Sequence, residues 1–220
     1  MNKSHAIVRC YADRSSLAHD LTAYLAQCIR AAVSERGICH MVIPGGRSPI
    51  PIFKQLVLEN LPWDAIHLYP SDERCLPAND PLRNDRMIEE NLLVKGRIAA
   101  TNFHRIPSEL GLAEGVLYFL KVLESIPCFD VVLVGAGPDG HIASLFPNHS
   151  SMSDCNDVVP VNNAPKPPPD RISIGFERLK MGYSRHVVVM GSEKRDIIDN
   201  SDNYKDTPLM RLNATIWYCE

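Results

Sequence analysis

The sequence contains no apolar run that approaches the ~18 residues required to cross a membrane. Its N-terminal residues also lack the long apolar segment of a signal peptide. The net charge of -3 gives no overall positive field that would attract nucleic acid or an anionic membrane. We therefore expect a cytoplasmic protein without nucleic-acid or membrane partners, in which a local cluster of residues binds any anionic ligand.

Paired spacings of metal ligands and nucleophiles are also missing. None of the seven cysteines forms a C-x-x-C pair, and none of the eight histidines forms an H-x-x-x-H pair. These absences argue against a disulfide framework and a zinc site. No G-x-S-x-G sequence is present, so a serine nucleophile on a strand-to-helix turn is not indicated. We expect no bound metal and reduced cysteines, most of them in the core.

Strand-like and helix-like patterns alternate along the chain. Strands are predicted at residues 6–11, 39–43, 65–69, 131–134, 187–190 and 215–219. Helices are predicted from Ser15 or Ser16 to Gly37 and at residues 50–61, 84–93, 110–123 and 192–199. This alternation favours a single α/β domain over residues 1–220, with a mostly parallel, doubly wound, Rossmann-like sheet and helices on both faces.

The segment 129–147, FDVVLVGAGPDGHIASLFP, joins a buried strand to a glycine-rich turn and a predicted short helix at residues 143–146. Its glycines follow the G-x-G-x-x-G spacing of a dinucleotide-binding loop. We reject that interpretation, and a nicotinamide cofactor with it. Pro138 stiffens the turn, Asp139 would meet the pyrophosphate with a negative charge, and Pro147 stops the helix.

Polar clusters follow four of the predicted strands. Because the carboxyl ends of parallel strands share one edge of a sheet, we expect the loops at residues 44–48, 71–74, 135–141 and 191–194 to converge. The first loop contains Gly45, Gly46, Arg47 and Ser48. Its exposed backbone N–H groups suit a phosphate, although the glycines are equally explained by a tight turn.

The other clusters offer carboxylates, an imidazole and cations. Asp139 lies two residues before His141, and a carboxylate near an imidazole can fix its tautomer and make it a general base. Asp72 and Arg74 follow a strand and suit a hydroxylated substrate, or form a solvated turn. Two further cations, Arg171 and Lys194, open a strand and a helix and are candidate partners of an anion.

Residues 147–170 are rich in proline, asparagine and serine. A loop of this length is uncommon in a compact domain, so we expect a lid or rim of the binding site.

The motifs PGGRSP, SDERCLP, RNDRMIEENLL, DGHIASLFP, PKPPPDRISI and VVMGSEKR occur in this order over nearly the whole chain. In this respect the sequence resembles the 6-phosphogluconolactonases. The resemblance implies the α/β fold shared with glucosamine-6-phosphate deaminases and related sugar-phosphate isomerases. It also implies hydrolysis of 6-phospho-D-glucono-1,5-lactone to 6-phospho-D-gluconate in the oxidative pentose phosphate pathway, without a metal ion or organic cofactor.

Carried over to this sequence, the resemblance implies that His141 activates water, while Asp139 or Asp72 orients it or the substrate. The phosphate would lie among the residues of the Gly45-to-Ser48 loop, Arg171 and Lys194, with Arg74 near the sugar or the phosphate. Many relatives carry serine at the positions of Arg47 and Arg83. Each of these two arginines would either add a phosphate contact or face water.

Two alternatives remain open. An amino-sugar-phosphate isomerase and deaminase has a pattern similar to DGHIAFNEP, but its glutamate is replaced in the segment that contains Leu145 and Phe146. A non-catalytic sugar-phosphate-binding protein would share the binding residues, although retention of both His141 and Asp139 argues against it. We expect a monomer.

Overall fold

The computed structural model describes residues 7–93 and 97–220. Nine strands are seen in these ranges: β1 Val8–Tyr11, β2 Cys39–Ile43, β3 Ile66–Pro70, β4 Asp72–Arg74, β5 Val131–Gly135, β6 Val158–Val161, β7 Arg171–Ile174, β8 Ser184–Met190 and β9 Thr215–Cys219. Six of them form a sheet in the order β1-β9-β8-β5-β2-β3, and every neighbouring pair is parallel. Ala6, the predicted start of the first strand, lies outside the described residues.

Seven α-helices are described: α1 Arg14–Arg36, α2 Ile50–Leu56, α3 Asn84–Ile88, α4 Gly111–Leu123, α5 Phe176–Lys180, α6 Arg195–Asp199 and α7 Pro208–Arg211. Helix α1 begins at a different residue from the one predicted, because the Asp13 carboxylate accepts the Ser16 N–H at 2.9 Å and caps the helix. It ends at Arg36, and Gly37, the predicted end, is the C-cap, where a φ of 76° favours glycine. No helix in the described ranges is both long enough and apolar enough to cross a membrane.

The parallel sheet separates two apolar cores. Along β5, Val131 and Leu133 face the core covered by α1, α2 and α3. Val132 and Val134 face the core covered by α4, α5, α6 and α7. Since β5 is buried on both faces, its sequence is a continuous apolar run instead of an alternating one. The predicted fold, a mostly parallel sheet with helices on both faces, is confirmed.

A second, three-stranded antiparallel sheet in the order β4-β7-β6 was not predicted. The residues predicted as the turn 71–74 supply β4, and the predicted long loop 147–170 contains β6 and a short 3-10 helix, Ser150–Met152. The prediction of one irregular loop is therefore wrong. Strand β6 lies at an edge of this sheet, where Pro160 costs little because an edge strand needs fewer N–H donors.

Further predicted helices also differ from the structure. Residues 143–146 form turns and an isolated bridge between Ile142 and Leu145 in place of a helix. Helix α2 ends at Leu56, five residues before the predicted end. A 3-10 helix, Ser192–Lys194, precedes α6. The first difference matters for function, because the turn at 135–140 lacks the helix N-terminus that a dinucleotide-binding loop requires.

Candidate active site

The four polar loops converge on a cleft of about 190 Å³ at the carboxyl edge of the parallel sheet. Nearly all of the predicted site residues line it: Gly45, Gly46, Arg47, Ser48, Asp72, Arg74, His141, Arg171 and Lys194. Asp139 does not line the cleft and instead contacts His141. Ser71, Asn84 and Ala143 also line the cleft and were not predicted.

A short hydrogen bond joins His141, which lines the cleft, to Asp139. The distance from His141 Nδ1 to Asp139 Oδ1 is 2.5 Å. An ionised carboxylate only accepts hydrogen bonds, so in the neutral imidazole Nδ1 carries the proton and Nε2 the lone pair. Partial burial alone would raise the pKa of Asp139, but the hydrogen bond and charge of His141, aided by Lys166, lower that pKa to about 2. Asp139 is therefore an anion at neutral pH.

Gly137 makes room for this pair. A Cβ atom at position 137 would lie 2.0 Å from His141 Cε1 and 2.6 Å from Asp139 Oδ1. The Gly137 N–H donates to the His141 carbonyl at 2.9 Å and closes the turn. Beneath the imidazole, the Phe146 ring packs with its centroid 4.6 Å away. The glycine-rich turn thus holds an imidazole and a carboxylate where a dinucleotide-binding loop would leave space for phosphates.

Asp72 has different partners. It accepts hydrogen bonds from the hydroxyls of Ser71 at 2.9 Å and Ser144 at 2.6 Å, and its residue is 6% exposed. Both carboxylates were candidate partners of His141, and the hydrogen bond to the imidazole is made by Asp139. Asp72 instead lies in the wall of the cleft next to a space that a ligand hydroxyl could reach.

Asn84 was predicted only as the first residue of the helix at residues 84–93. It is the first residue of α3, which Arg83 precedes as N-cap, and its Nδ2 donates to the Asp72 carbonyl at 2.8 Å. Its Oδ1 is buried and has no hydrogen-bond partner among the described residues. A Cβ at Gly45 would lie 1.9 Å from this oxygen, so the glycine allows the close approach. Only its place within RNDRMIEENLL singled Asn84 out in the sequence.

Glu73, between Asp72 and Arg74, is structural. Its carboxylate accepts the N–H groups of Asn84 at 2.8 Å and Asp85 at 2.7 Å and so fixes the start of α3. Burial raises the pKa of Glu73 to about 7, and the backbone N–H donors oppose this only in part.

The cations of the cleft are satisfied to different degrees. Lys194 and Arg47 form no salt bridge with any residue that the structure describes. Burial lowers the pKa of Lys194, which Glu193 partly offsets. Arg74 donates through Nη1 to the Leu82 carbonyl, while its buried Nε has no partner in the described ranges. The cleft thus holds positive charge and polar atoms that have no partner among the described residues.

Arg83 neither faces water nor reaches the cleft, so both expectations for it are wrong. It is 1% exposed and donates to Asp85 at 2.7 Å, while Glu109 lies 3.0 Å away. Arg47, in contrast, is exposed at the cleft, where it can meet a ligand.

Fold and cleft together place the chain in the class of α/β proteins that bind a small ligand at the carboxyl edge of a parallel sheet. The chain belongs to the family of glucosamine-6-phosphate isomerases/6-phosphogluconolactonase, whose model matches residues 12–217. The resemblance found in the sequence motifs is thereby confirmed.

Two relatives are about one third identical to the chain over the aligned residues. It is 32% identical to a 6-phosphogluconolactonase of Mycobacterium leprae over 88% of this chain and 84% of that protein. It is 34% identical to the GDH/6PGL endoplasmic bifunctional protein of Oryctolagus cuniculus over 83% of this chain. The chain spans only about a quarter (24%) of the length of this rabbit protein and of its human counterpart.

Solved structures show the same fold. A 6-phosphogluconolactonase of Thermotoga maritima superposes with a TM-score of 0.86 at 24% identity, covering 97% of this chain and 99% of that one. A monomeric glucosamine-6-phosphate deaminase superposes with a TM-score of 0.80 at 17% identity, covering 97% and 96% of the two chains. At these identities the likeness concerns the fold and does not separate the two activities.

Proposed function

We propose that the protein hydrolyses 6-phospho-D-glucono-1,5-lactone to 6-phospho-D-gluconate, the second step of the oxidative pentose phosphate pathway. The observation that carries the proposal is the His141–Asp139 hydrogen bond of 2.5 Å at the edge of a cleft in which Arg47 and Lys194 form no salt bridge with a described residue. The names of relatives that match along most of the chain, those of Mycobacterium leprae and Thermotoga maritima, support the same activity.

In the proposed mechanism His141 acts as a general base. Asp139 holds the Nδ1 proton, so Nε2 removes a proton from water as the water oxygen bonds to the lactone carbonyl carbon. The tetrahedral intermediate then breaks its bond to the ring oxygen, which takes the proton from Nε2. One water is consumed, and His141 returns to its starting state. General-base assistance of this kind contributes about 10²–10⁴ in rate.

The phosphate is proposed to lie against the turn formed by Gly45, Gly46, Arg47 and Ser48, with Lys194 and Nη1 of Arg171 as further donors. Helix α2 has only 7 residues, so the side-chain cations supply most of the attraction. Each charged hydrogen bond to phosphate adds about 1.5–3 kcal/mol. Burial supports this placement, since the pKa of Lys194 is lowered and a bound dianion would offset that cost.

The sugar hydroxyls are proposed to meet Asp72, Arg74 and Asn84. Asn84 Oδ1 and Arg74 Nε are buried and unpaired within the described ranges, and a hydroxyl can donate to the first and accept from the second.

Leu145 and Phe146 argue against a deaminase. Both side chains are fully buried in an apolar core, where the deaminase pattern places its glutamate in this segment. A non-catalytic sugar-phosphate-binding protein would not need an imidazole poised by a carboxylate. We further propose that the enzyme is a cytoplasmic monomer that needs no metal ion.

Time-resolved hydrolysis of freshly made 6-phosphogluconolactone, corrected for its spontaneous opening, tests the function. We expect turnover that persists after dialysis against a chelator, with no release of ammonia from glucosamine 6-phosphate. Ammonia release without lactone hydrolysis would establish the deaminase instead, and binding of 6-phosphogluconate without either reaction would establish the binding protein.

A further inference from the structure

The guanidinium of Arg171 holds a proline-rich turn as well as lining the cleft. It is 6% exposed and donates to three successive backbone carbonyls, those of Lys166 at 2.9 Å, Pro167 at 3.2 Å and Pro168 at 3.0 Å. These hydrogen bonds fix the backbone that carries the Lys166 side chain.

The Lys166 side chain reaches the carboxylate behind the proposed base. Its Nζ lies 3.7 Å from Asp139 Oδ1, the same oxygen that accepts the His141 Nδ1 proton at 2.5 Å. Lys166 does not line the cleft, so its direct neighbour in the site is the carboxylate and not the ligand. One carboxylate oxygen is therefore shared by an imidazole and an ammonium group.

Other charged groups lie farther from His141 and Asp139. Lys194, on the segment after β8, interacts electrostatically with Lys166. Arg171, on β7, lies over the Phe146 ring with a centroid distance of 5.6 Å, and that ring packs against the imidazole. Asp72 is held by two serine hydroxyls. Asp139 is thus the anion that contacts the imidazole, and Lys166 is the cation that contacts Asp139.

We propose that Lys166 is a positioning residue of the general base: fixed by Arg171, it anchors Asp139 and limits how strongly that carboxylate retains a proton on His141. The inference rests on the proposed function. The mechanism needs His141 to take a proton from water and then release it to the ring oxygen. A carboxylate alone favours the imidazolium, and a neighbouring ammonium opposes it, so Lys166 favours release of the proton.

Lys166→Met tests this role. We expect the acidic limb of the kcat profile to move to higher pH by about half a pH unit, and kcat to fall about two- to five-fold, as for a partly exposed ion pair. The KM should change little, and Lys166→Arg should restore the profile. Lys180→Met is the matched control. Lys180 also lies 3.7 Å from a carboxylate, that of Glu177, and its side chain is 47% exposed against 42% for Lys166.

Asp139→Asn should move the acidic limb of the kcat profile in the opposite direction, to lower pH, because the neutral amide no longer stabilises the imidazolium. In the double variant with Lys166→Met the two shifts should not add, since the lysine acts through the carboxylate. An NMR titration of the His141 imidazole in the free protein reads the same shifts without substrate. It therefore separates failure of this inference from failure of the proposed lactonase activity.

The proposal is overturned if His141 titrates alike in the wild type and in Lys166→Met. A raised KM for the phosphorylated lactone with an unmoved acidic limb would also overturn it, because that result would make Lys166 a ligand of the phosphate.

Discussion

Histidines meet other titratable side chains at both ends of the parallel sheet, but with different partners. At the amino end, His40 and His67 are paired in register on β2 and β3, and the His104 ring stacks on Tyr69 at 4.5 Å. His67 Nδ1 lies 2.9 Å from His104 Nε2, and His40 Nδ1 lies 3.0 Å from the Tyr69 hydroxyl. Burial lowers the pKa of all three histidines, that of His104 to about 4. The charge of His67 further lowers the pKa of His40, and the charges of His67 and His40 further lower that of His104.

At the carboxyl end, His141 faces a cleft and hydrogen-bonds an ionised carboxylate. Asp139 is the only described carboxylate within 4.0 Å of a histidine ring nitrogen. A base must become a cation during the reaction, and only an environment that stabilises this cation permits it at low cost. Its carboxylate partner and its access to the cleft suit His141 to the proposed role of base, while the histidines at the other end are packing groups.

The largest effect is expected for His141→Ala, which removes the imidazole at the carboxyl end of the sheet. We expect kcat to fall by about 10²–10⁴, because the water loses its base. Binding of 6-phosphogluconate should persist, since the cations of the cleft are untouched, and calorimetry measures it. The matched control is His67→Gln at the other end of the sheet, which should keep kcat within about two-fold. An unchanged kcat in His141→Ala would remove this residue from the base role.

Lys194→Ala should weaken binding of the phosphorylated substrate and leave the general base unaffected. Because Lys194 has no salt bridge with a described residue, its charge is available to the phosphate. We expect KM for the phosphorylated lactone to rise about ten-fold or more, while KM for unphosphorylated gluconolactone stays the same. Arg195→Ala, which removes an exposed cation paired with Asp199 at 3.0 Å, is the control and should change neither. Equal effects of Lys194→Ala on both substrates would place the phosphate elsewhere.

Much of the fold could be predicted because its central strands are buried on both faces. Strands β2 and β9 have the predicted bounds, and β5 extends one residue further, to Gly135. In the small antiparallel sheet only the strand that Arg171 opens, β7, was predicted, and β4 and β6 had no comparable local signal. Its β4 is three residues long and pairs Asp72 with Ser173, so the contact depends on segments that are distant in the chain. Periodicity within a short window does not report such a pairing.

The convergence of the site followed from topology, but the partners of its side chains did not. Asp72 and Asp139 both follow predicted strands. In the structure Asp72 accepts a hydrogen bond from Ser144, and Asp139 is the carboxylate that hydrogen-bonds His141. Arg83 carries a charge that favours the surface, yet Asp85 and Glu109 allow its burial. The PKPPPDRISI motif contains Lys166, but its sequence does not distinguish this lysine from an ordinary solvated surface cation.

The smallest expected effect is on stability and tests the histidines at the amino end of the parallel sheet. The pKa of His104 in the folded protein is about 4 against an ordinary value of 6.5. Between these values the unfolded chain binds the proton first, so the free energy of unfolding should fall as the pH falls through this window, by at most about 3 kcal/mol. His104→Phe keeps a ring on Tyr69 and removes the titration.

Urea unfolding at about pH 7 and about pH 4.5 measures this difference. On acidification, we expect the free energy of unfolding to fall by about 1–2 kcal/mol less in the variant than in the wild type, because position 104 of the variant cannot take up a proton on unfolding. The kcat at neutral pH should be unchanged. An equal loss in both proteins would mean that His104 is already protonated in the fold or exposed to water. The two ends of the sheet would then no longer differ in the way that separates a packing histidine from a base.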